Sequence, residues 1–437
     1  MKIHFIGIGG IGISGLAQYM QYKGHTVSGS DIKETLITKK MQQLGAEITI
    51  PHNSSAIHDQ DLVVHSAIIR PDNPEIIAAQ ERGIEILARR EALLPILQDR
   101  KVYAVAGAHG KSTTTAILAA IMDGSAIIGA ESKAFGSNVR YNPETDVMIF
   151  EADESDGSFL NTNPYCSIVI NAEPEHMEYY DYNYDRFYDS YKTFIQSAKC
   201  RVLNAEDPFL ATLIDTIDAH WLYPSKDIQN IEYILIENEP HTKFTLRDLG
   251  TFSVWGFGKH IALDAALAIL AASESMDIEK IREKLLTFKG IKKRFDIVGI
   301  EEKSVIIDDY GHHPTEIKAT FESVKEYAQL KGLKKITAIW QPHKYSRTID
   351  NLDAFIECFE GADELIILPV WAASEAYRDI DFQEKFKHYN LTMADSIKRA
   401  KNTITVIKNK EDLATLDQGL IIGFGAGDIT YQIRGVE

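Results

Sequence analysis

Two glycine-rich turns constrain this chain more than any other feature. Each lies between an apolar, β-prone run and a helical one. The first is KIHFIGIGGIGISG at residues 2–15, and the second is KVYAVAGAHGKSTTT at residues 101–115. A strand that feeds a helix through glycines exposes backbone N–H groups at a helix N-terminus, which is a ready anion site. A chain with two such turns is expected to build more than one parallel α/β layer and to hold more than one phosphate-bearing ligand.

The first turn satisfies G-x-G-x-x-G with Gly7, Gly9 and Gly12, and Asp31 ends the next strand nineteen residues later. Together these make the dinucleotide fingerprint: a tight turn, close backbone approach, pyrophosphate at the helix end and an acid for ribose hydroxyls. The chemistry selects a diphosphate joined to a ribose, so NAD and a UDP-sugar both satisfy it. A merely tight strand-to-helix turn is the plainer alternative.

The second turn places Gly107, Gly110, Lys111 and Ser112 as G-x-x-G-K-S, two residues shorter than the strict phosphate loop. Its backbone can still face phosphates, Lys111 can reach the β and γ oxygens, and the Ser112 hydroxyl can meet Mg²⁺. DVMIFEADESDGSF sets Glu151, Asp153, Glu154 and Asp156 at the end of an apolar run. CSIVINAEPEH sets Glu173, Glu175 and His176 past another. In a parallel sheet the carboxyl ends of strands share one edge, so these groups are expected at one crevice. Their use there is ATP with one or two divalent ions, Mg²⁺ by oxygen preference and Mn²⁺ if His176 ligates. A solvated acidic turn is the bland reading of EADESD.

With 437 residues and about 150 per domain, two to four domains are expected. Strand-like and helical runs alternate throughout. A fresh strand after LLPILQDR and a basic cluster after FKG divide the chain into residues 1–98, 99–291 and 292–437. The fold class that follows is three-domain α/β: a Rossmann-like N-terminal domain, a central ATP-binding phosphate-loop domain and a Rossmann-like C-terminal domain. The net charge of -17 disfavours nucleic acid and anionic membranes as partners. No run of about 18 apolar residues predicts a membrane span. No charged-then-apolar leader precedes the first strand, and Cys166, Cys200 and Cys358 match no metal or redox spacing, so a reducing cytoplasm is expected. In YYDYNYDRFYDSYKTF, Phe187, Tyr188, Tyr191 and Phe194 share one helical face, which reads as core.

In the last third, DDYGHHPTE and WQPHKYSRT each follow a strand, and they bring Asp308, Asp309, His312 and His313, then His343, Lys344 and Arg347. The histidine spacing suits no zinc motif. Cations and hydrogen-bond donors for a second, anionic substrate are the expected role. The final GFGAGDI is another strand-to-helix turn, either phosphate-facing or structural.

Ten segments in order resemble the Mur ligase family, which builds the peptide of bacterial cell-wall precursors. They are GIGGIGISGLA, GSD, SAIIRPDNPE, GAHGKSTTT, EADESDGSF, NAEPEHMEYY, GIKKRFD, DDYGHHPTE, PHKYSRT and GAGDI, and they span the chain. The resemblance implies ATP-dependent ligation of L-alanine to UDP-N-acetylmuramate through an acyl phosphate. It places the nucleotide sugar at Gly9, Gly10, Ile11, Gly12, Ser30, Asp31, Ser66 and Arg89. It places ATP at Gly107, Ala108, His109, Gly110, Lys111, Ser112 and Thr113, with His260, Asp264, Asp309 and Tyr310 around the nucleoside. Ser112, Glu151 and His176 become the metal ligands. Lys111, His176, Arg294 and His312 become the catalytic groups, with His312 a candidate base for the amine, and His312, Lys344 and Arg347 receive the amino acid. The sequence departs from the family pattern at His260, Ile261 and Asp264, where H-N-x-x-N is usual, and at Lys344, where an arginine is usual. A point charge there replaces a bidentate fork. The recycling ligase that adds a whole tripeptide is the rival within the family. A nicotinamide-dependent oxidoreductase and an ATP-gated binding protein are rivals outside it.

Overall fold

The computed structural model describes residues 1–436. The chain packs as two compact units. One comprises Met1–Gln229, Thr245–Phe252 and Leu263–Lys289; the other comprises Asn230–Phe244, Ser253–Ala262 and the chain from Gly290 on.

The first unit contains two parallel layers. Strands β1 (Lys2–Ile6), β2 (Thr26–Ser30), β3 (Glu47–Thr49), β4 (Leu62–His65) and β5 (Glu85–Ala88) form a sheet ordered β3-β2-β1-β4-β5. Every neighbouring pair in it is parallel. Helices α1 (Ile11–Tyr22), α2 (Leu36–Gln43) and α3 (Pro74–Glu81) connect β1 to β2, β2 to β3 and β4 to β5, and α4 (Arg89–Leu97) leads from β5 to the next layer. Ile13, Leu16, Ala17 and Met20 of α1 recur at helical spacing, and all are buried.

The second layer comprises β6 (Lys101–Ala106), β7 (Ser125–Ser132), β8 (Ser137–Arg140), β9 (Val147–Glu151), β10 (Cys166–Val169), β11 (Cys200–Asn204) and β12 (His220–Leu222). It is ordered β12-β11-β10-β6-β9-β7-β8. All pairs are parallel except the β7–β8 edge. The strands are near-continuous apolar runs because helices cover both faces. Helix α5 (Lys111–Ile121) follows β6. Helix α6 (Tyr184–Ser197) carries Phe187, Tyr191 and Phe194 into the core, while Tyr188 is half-buried. Asn183 caps α6 by accepting from Arg186 N at 3.0 Å.

Strands β13 (Ile228–Ile236), β14 (Glu239–Leu246) and β15 (Thr251–Trp255) form a small sheet of their own. The second unit is built on β16 (Asp296–Ile300), β17 (Ser304–Asp309), β18 (Ile336–Trp340), β19 (Glu364–Ile367) and β20 (Leu391–Met393). A three-stranded antiparallel ribbon follows: β21 (Ser396–Ala400), β22 (Thr403–Lys408) and β23 (Glu411–Leu416). Strand β24 (Gly419–Phe424) then returns to the main sheet, ordered β16-β17-β24-β18-β19-β20. Only β16 runs antiparallel to its neighbour there. Among the described residues no helix is long and apolar enough to cross a membrane.

Candidate active site

The order β10-β6-β9 puts the phosphate turn in the middle of three adjacent parallel strands. Their carboxyl ends therefore deliver the turn, the acidic loop and the histidine loop to one edge. Gly110 caps α5 at φ +84, and a Cβ there would stand 2.7 Å from Asp264 Oδ1. Only glycine meets both demands. A Cβ on Gly107 would meet the backbone of Asn171 at 3.2 Å. The Asn171 side chain accepts from His109 N and donates to His109 O, both at 3.1 Å, and so clamps the turn from β10. The first-turn amides of α5, at Lys111, Ser112 and Thr113, lie where a helix offers donors without intrahelical partners.

Lys111 Nζ donates to Gly107 O at 2.6 Å and to both carboxylate oxygens of Glu154 at 2.9 Å. Burial opposes its charge, but Glu154, Asp153 and Glu151 outweigh that and hold the ammonium protonated. Burial pushes Glu154 up to about 7 in spite of Lys111. Ser112 Oγ donates to Glu151 Oε1 at 3.0 Å, and Gly129 N donates to Glu151 Oε2 at 2.6 Å. Burial likewise raises the Glu151 carboxyl. A hydroxyl and a desolvated carboxylate, adjacent to a phosphate turn, suit a hard divalent cation such as Mg²⁺. His176 stands exposed past β10 at φ +52, a rare conformation for a side-chain-bearing residue. His109 lies 3.2 Å from Glu173 and 3.8 Å from Glu175.

At the first turn, Gly9 N donates to Asp31 Oδ2 at 2.8 Å, so the acid expected at a ribose braces the loop in the free chain. Gly7 N and Ile8 N donate to Ser30 O at 2.8 and 3.0 Å. The Ser30 hydroxyl is buried and donates to Glu75 Oε2. Ser30 thereby braces the loop, through its carbonyl on one side and its hydroxyl on Glu75 on the other. Glu75 also accepts from Asn53 N at 2.8 Å and meets His4 Nε2 at 3.2 Å. Gly10 caps α1, Ile11 is exposed beside it, and Ser66 lies against Gly7. The Arg89 guanidinium packs over Gly12, its Nε 3.1 Å from where a Cβ would stand. It reaches Asp156 Oδ2 and Ser158 Oγ, both at 3.3 Å. One arginine thus joins the first turn to the acidic loop of the second.

Within the second unit, Asp309 is fixed by Phe295 N at 2.7 Å and Gly311 N at 2.8 Å, and burial pushes it up to about 6. Arg294 Nη1 pairs with Glu316 Oε1 at 2.8 Å, and its guanidinium lies 5.9 Å from the Tyr310 ring centroid. His312 Nδ1 faces Tyr310 O at 3.1 Å. A carbonyl only accepts, so Nδ1 carries the proton and Nε2 keeps its lone pair. Burial and Arg347 push His312 down to about 4 against the pull of Glu316, so the ring is neutral at pH 7. Arg347 Nη1 donates to His343 Nδ1 at 3.0 Å. Lys344 holds φ +65 where it caps the helix Tyr345–Asp350, and its N–H is bonded to Trp371 O at 2.9 Å. Such strain is common at ligand-holding residues. His260 is exposed, and its ring lies against Gly258.

Three Mur ligase models match the chain in order: the "catalytic domain" at residues 2–101, the "middle domain" at 105–272 and the "glutamate ligase domain" at 293–422. The chain belongs to the Mur ligase family. It is 52% identical over 434 residues to the UDP-N-acetylmuramate–L-alanine ligase of Campylobacter curvus, covering 99% of both chains. It is 54% identical to the protein of that name from Helicobacter pylori strain P12, covering 99% of this chain and 96% of that one. Among solved structures, the UDP-N-acetylmuramate-alanine ligase of Thermotoga maritima superposes with a TM-score of 0.83 at 26% identity, over 99% of this chain and 97% of that one. A murein peptide ligase from Psychrobacter arcticus shares the fold, with a TM-score of 0.64 at 21% identity. The three-domain α/β expectation is therefore met.

Several residues of this Mur ligase acquire roles that the sequence reading did not assign. Glu154 was visible only as one acid of a run, and its pairing with Lys111 depends on which way the loop after β9 turns. Asn171 lies inside NAEPEH without a motif of its own. Glu316 sits three residues after the helix cap His313 and accepts from His312 N at 3.2 Å; its H-x-x-E spacing was the available signal.

Proposed function

We propose that this chain joins L-alanine to the lactyl carboxylate of UDP-N-acetylmuramate at the expense of ATP, as a cytoplasmic step in peptidoglycan precursor synthesis. Residues 1–98 hold the nucleotide sugar, 99–291 the ATP and 292–437 complete the ligase. The reading is supported above all by the full-length likeness to UDP-N-acetylmuramate–L-alanine ligases. The two anion-binding turns give it a physical basis: one suits a diphosphate sugar and the other a triphosphate.

A carboxylate is a poor electrophile because its leaving group would be oxide. Phosphorylation by ATP turns one carboxylate oxygen into the bridge of an acyl phosphate and releases ADP. The neutral amine of alanine then attacks the carbonyl, and phosphate departs with that oxygen. Ser112 and Glu151, with His176, would hold Mg²⁺ or Mn²⁺, which would supply charge compensation for the phosphate oxygens. Lys111 adds an ammonium aimed from the loop, where Gly107 O orients it. Gly9, Gly10, Ile11 and Gly12 present backbone to the diphosphate, with Asp31, Ser66 and Arg89 at its rim. Arg294, Asp309 and Tyr310 serve the nucleotide, as do His260 and Asp264. Lys344 and Arg347 hold the alanine carboxylate, and His312 Nε2 offers a lone pair to its amino group.

Phosphate release should require ATP, UDP-N-acetylmuramate and alanine together. Release with the tripeptide in place of alanine would assign the recycling reaction, and NADH binding by residues 1–98 would assign an oxidoreductase.

A further inference from the structure

The opposite edge of the second layer gathers a group of side chains that the ligase chemistry does not use. Cys166, Cys200 and His220 are the first residues of β10, β11 and β12, so all three lie at the amino ends of adjacent strands. Cys166 and Cys200 are in register across the parallel pair. Glu274 follows the helix Lys259–Ser273 and comes to the same place, its Oε1 3.0 Å from His220 Nε2. Donor atoms of Cys200, His220 and Glu274 all lie within 4.8 Å of one another.

We propose that Cys200, His220 and Glu274 form a Zn²⁺ site at the amino edge of this sheet, remote from the phosphate turn. A thiolate, an imidazole and a carboxylate are the donors that zinc accepts and Mg²⁺ does not favour. Bonds of about 2.0–2.3 Å set tetrahedral edges of about 3.3–3.8 Å, within the span these atoms already occupy. Cys166 supports the site from behind: its S–H donates to Cys200 Sγ at 2.9 Å. Zinc binding releases the Cys200 thiol proton to solvent. Cys200 lies at the floor, while the His220 and Glu274 side chains are 50% and 33% exposed, so the ion has access and a fourth position open to water. The bland alternative is a surface His–Glu pair above two inert thiols.

Cobalt titration of the full chain separates the two, because only a thiolate ligand gives sulfur-to-cobalt charge transfer. The proposal expects that band at one Co²⁺ per chain, its displacement by Zn²⁺, and its persistence in Lys111→Ala. Cys200→Ser should abolish it. His220→Ala and Glu274→Gln, at exposed positions that spare the core, should each weaken binding by at least about tenfold, since even outer-sphere partners account for about 10–100-fold. Magnesium-supported turnover should stay within about twofold in Glu274→Gln. Absence of the band, its survival in Cys200→Ser, or a Cys166–Cys200 disulfide in the protein as purified under reducing conditions would overturn the proposal.

Discussion

Lys111 Nζ stands 2.9 Å from both oxygens of Glu154, so the ammonium expected to meet ATP is already neutralised by a buried carboxylate. Burial holds Glu154 at about 7, close to the point where it can take up a proton when the lysine turns to a phosphate. The pair is a competitor for the triphosphate as well as a structural contact.

Glu154→Gln should therefore destabilise the free chain by roughly 1–3 kcal/mol, since it leaves a buried ammonium short of its counter-charge. ATP should restore part of that loss, giving a larger ATP-induced rise in melting temperature than in the parent. A thermal-shift titration reads both; an equal or smaller rise in the variant would contradict the competition.

Lys111→Ala should lower the turnover rate by more than about 100-fold, the range for removing one preorganised charge from a transferring group. Calorimetric binding of UDP-N-acetylmuramate should be nearly unchanged, because Lys111 belongs to the second turn and the sugar to the first. Equal loss of both would contradict separate loops.

Asn171→Ala removes the clamp on His109 N and O without touching a ligand. The Michaelis constant for ATP should rise by about 5–20-fold, in line with 1–2 kcal/mol for two lost hydrogen bonds. The constant for alanine should hold. Steady-state kinetics with each substrate varied in turn will show the split.

His312 is held down to about 4 in the folded chain, below its unfolded value. A folded pKa below the unfolded one means that the unfolded state binds the proton more readily between about pH 6.5 and 4. The stability contributed by the neutral ring is thus fully present above that window and is lost as pH falls through it, by up to about 1.4 kcal/mol per pH unit. His312→Gln should flatten this acid limb in urea melts, and an unchanged slope would contradict it.

Much of the fold was legible because the signals are local. The glycine turns, the buried strand runs and the Phe187–Tyr191–Phe194 face each follow from short-range spacing, and the structure places them accordingly. Ser112 beside Glu151 could be anticipated because parallel strands share an edge. Three features were hidden for physical reasons. Cys166 and Cys200 are 34 residues apart, and only the in-register pairing of β10 with β11 makes them neighbours. The bracing of the first turn by Ser30 depends on Glu75, which arrives from α3. Lys344 at φ +65 is a backbone state that residue type alone would not suggest.

The central claim is that the triphosphate is spent on activating the sugar-linked acid. Ligation run with both oxygens of the lactyl carboxylate labelled with heavy oxygen tests it most directly, with the released phosphate read by mass spectrometry. Transfer through an acyl phosphate predicts one labelled oxygen in each phosphate and one left in the new amide. Unlabelled phosphate, with amide formed all the same, would contradict the account.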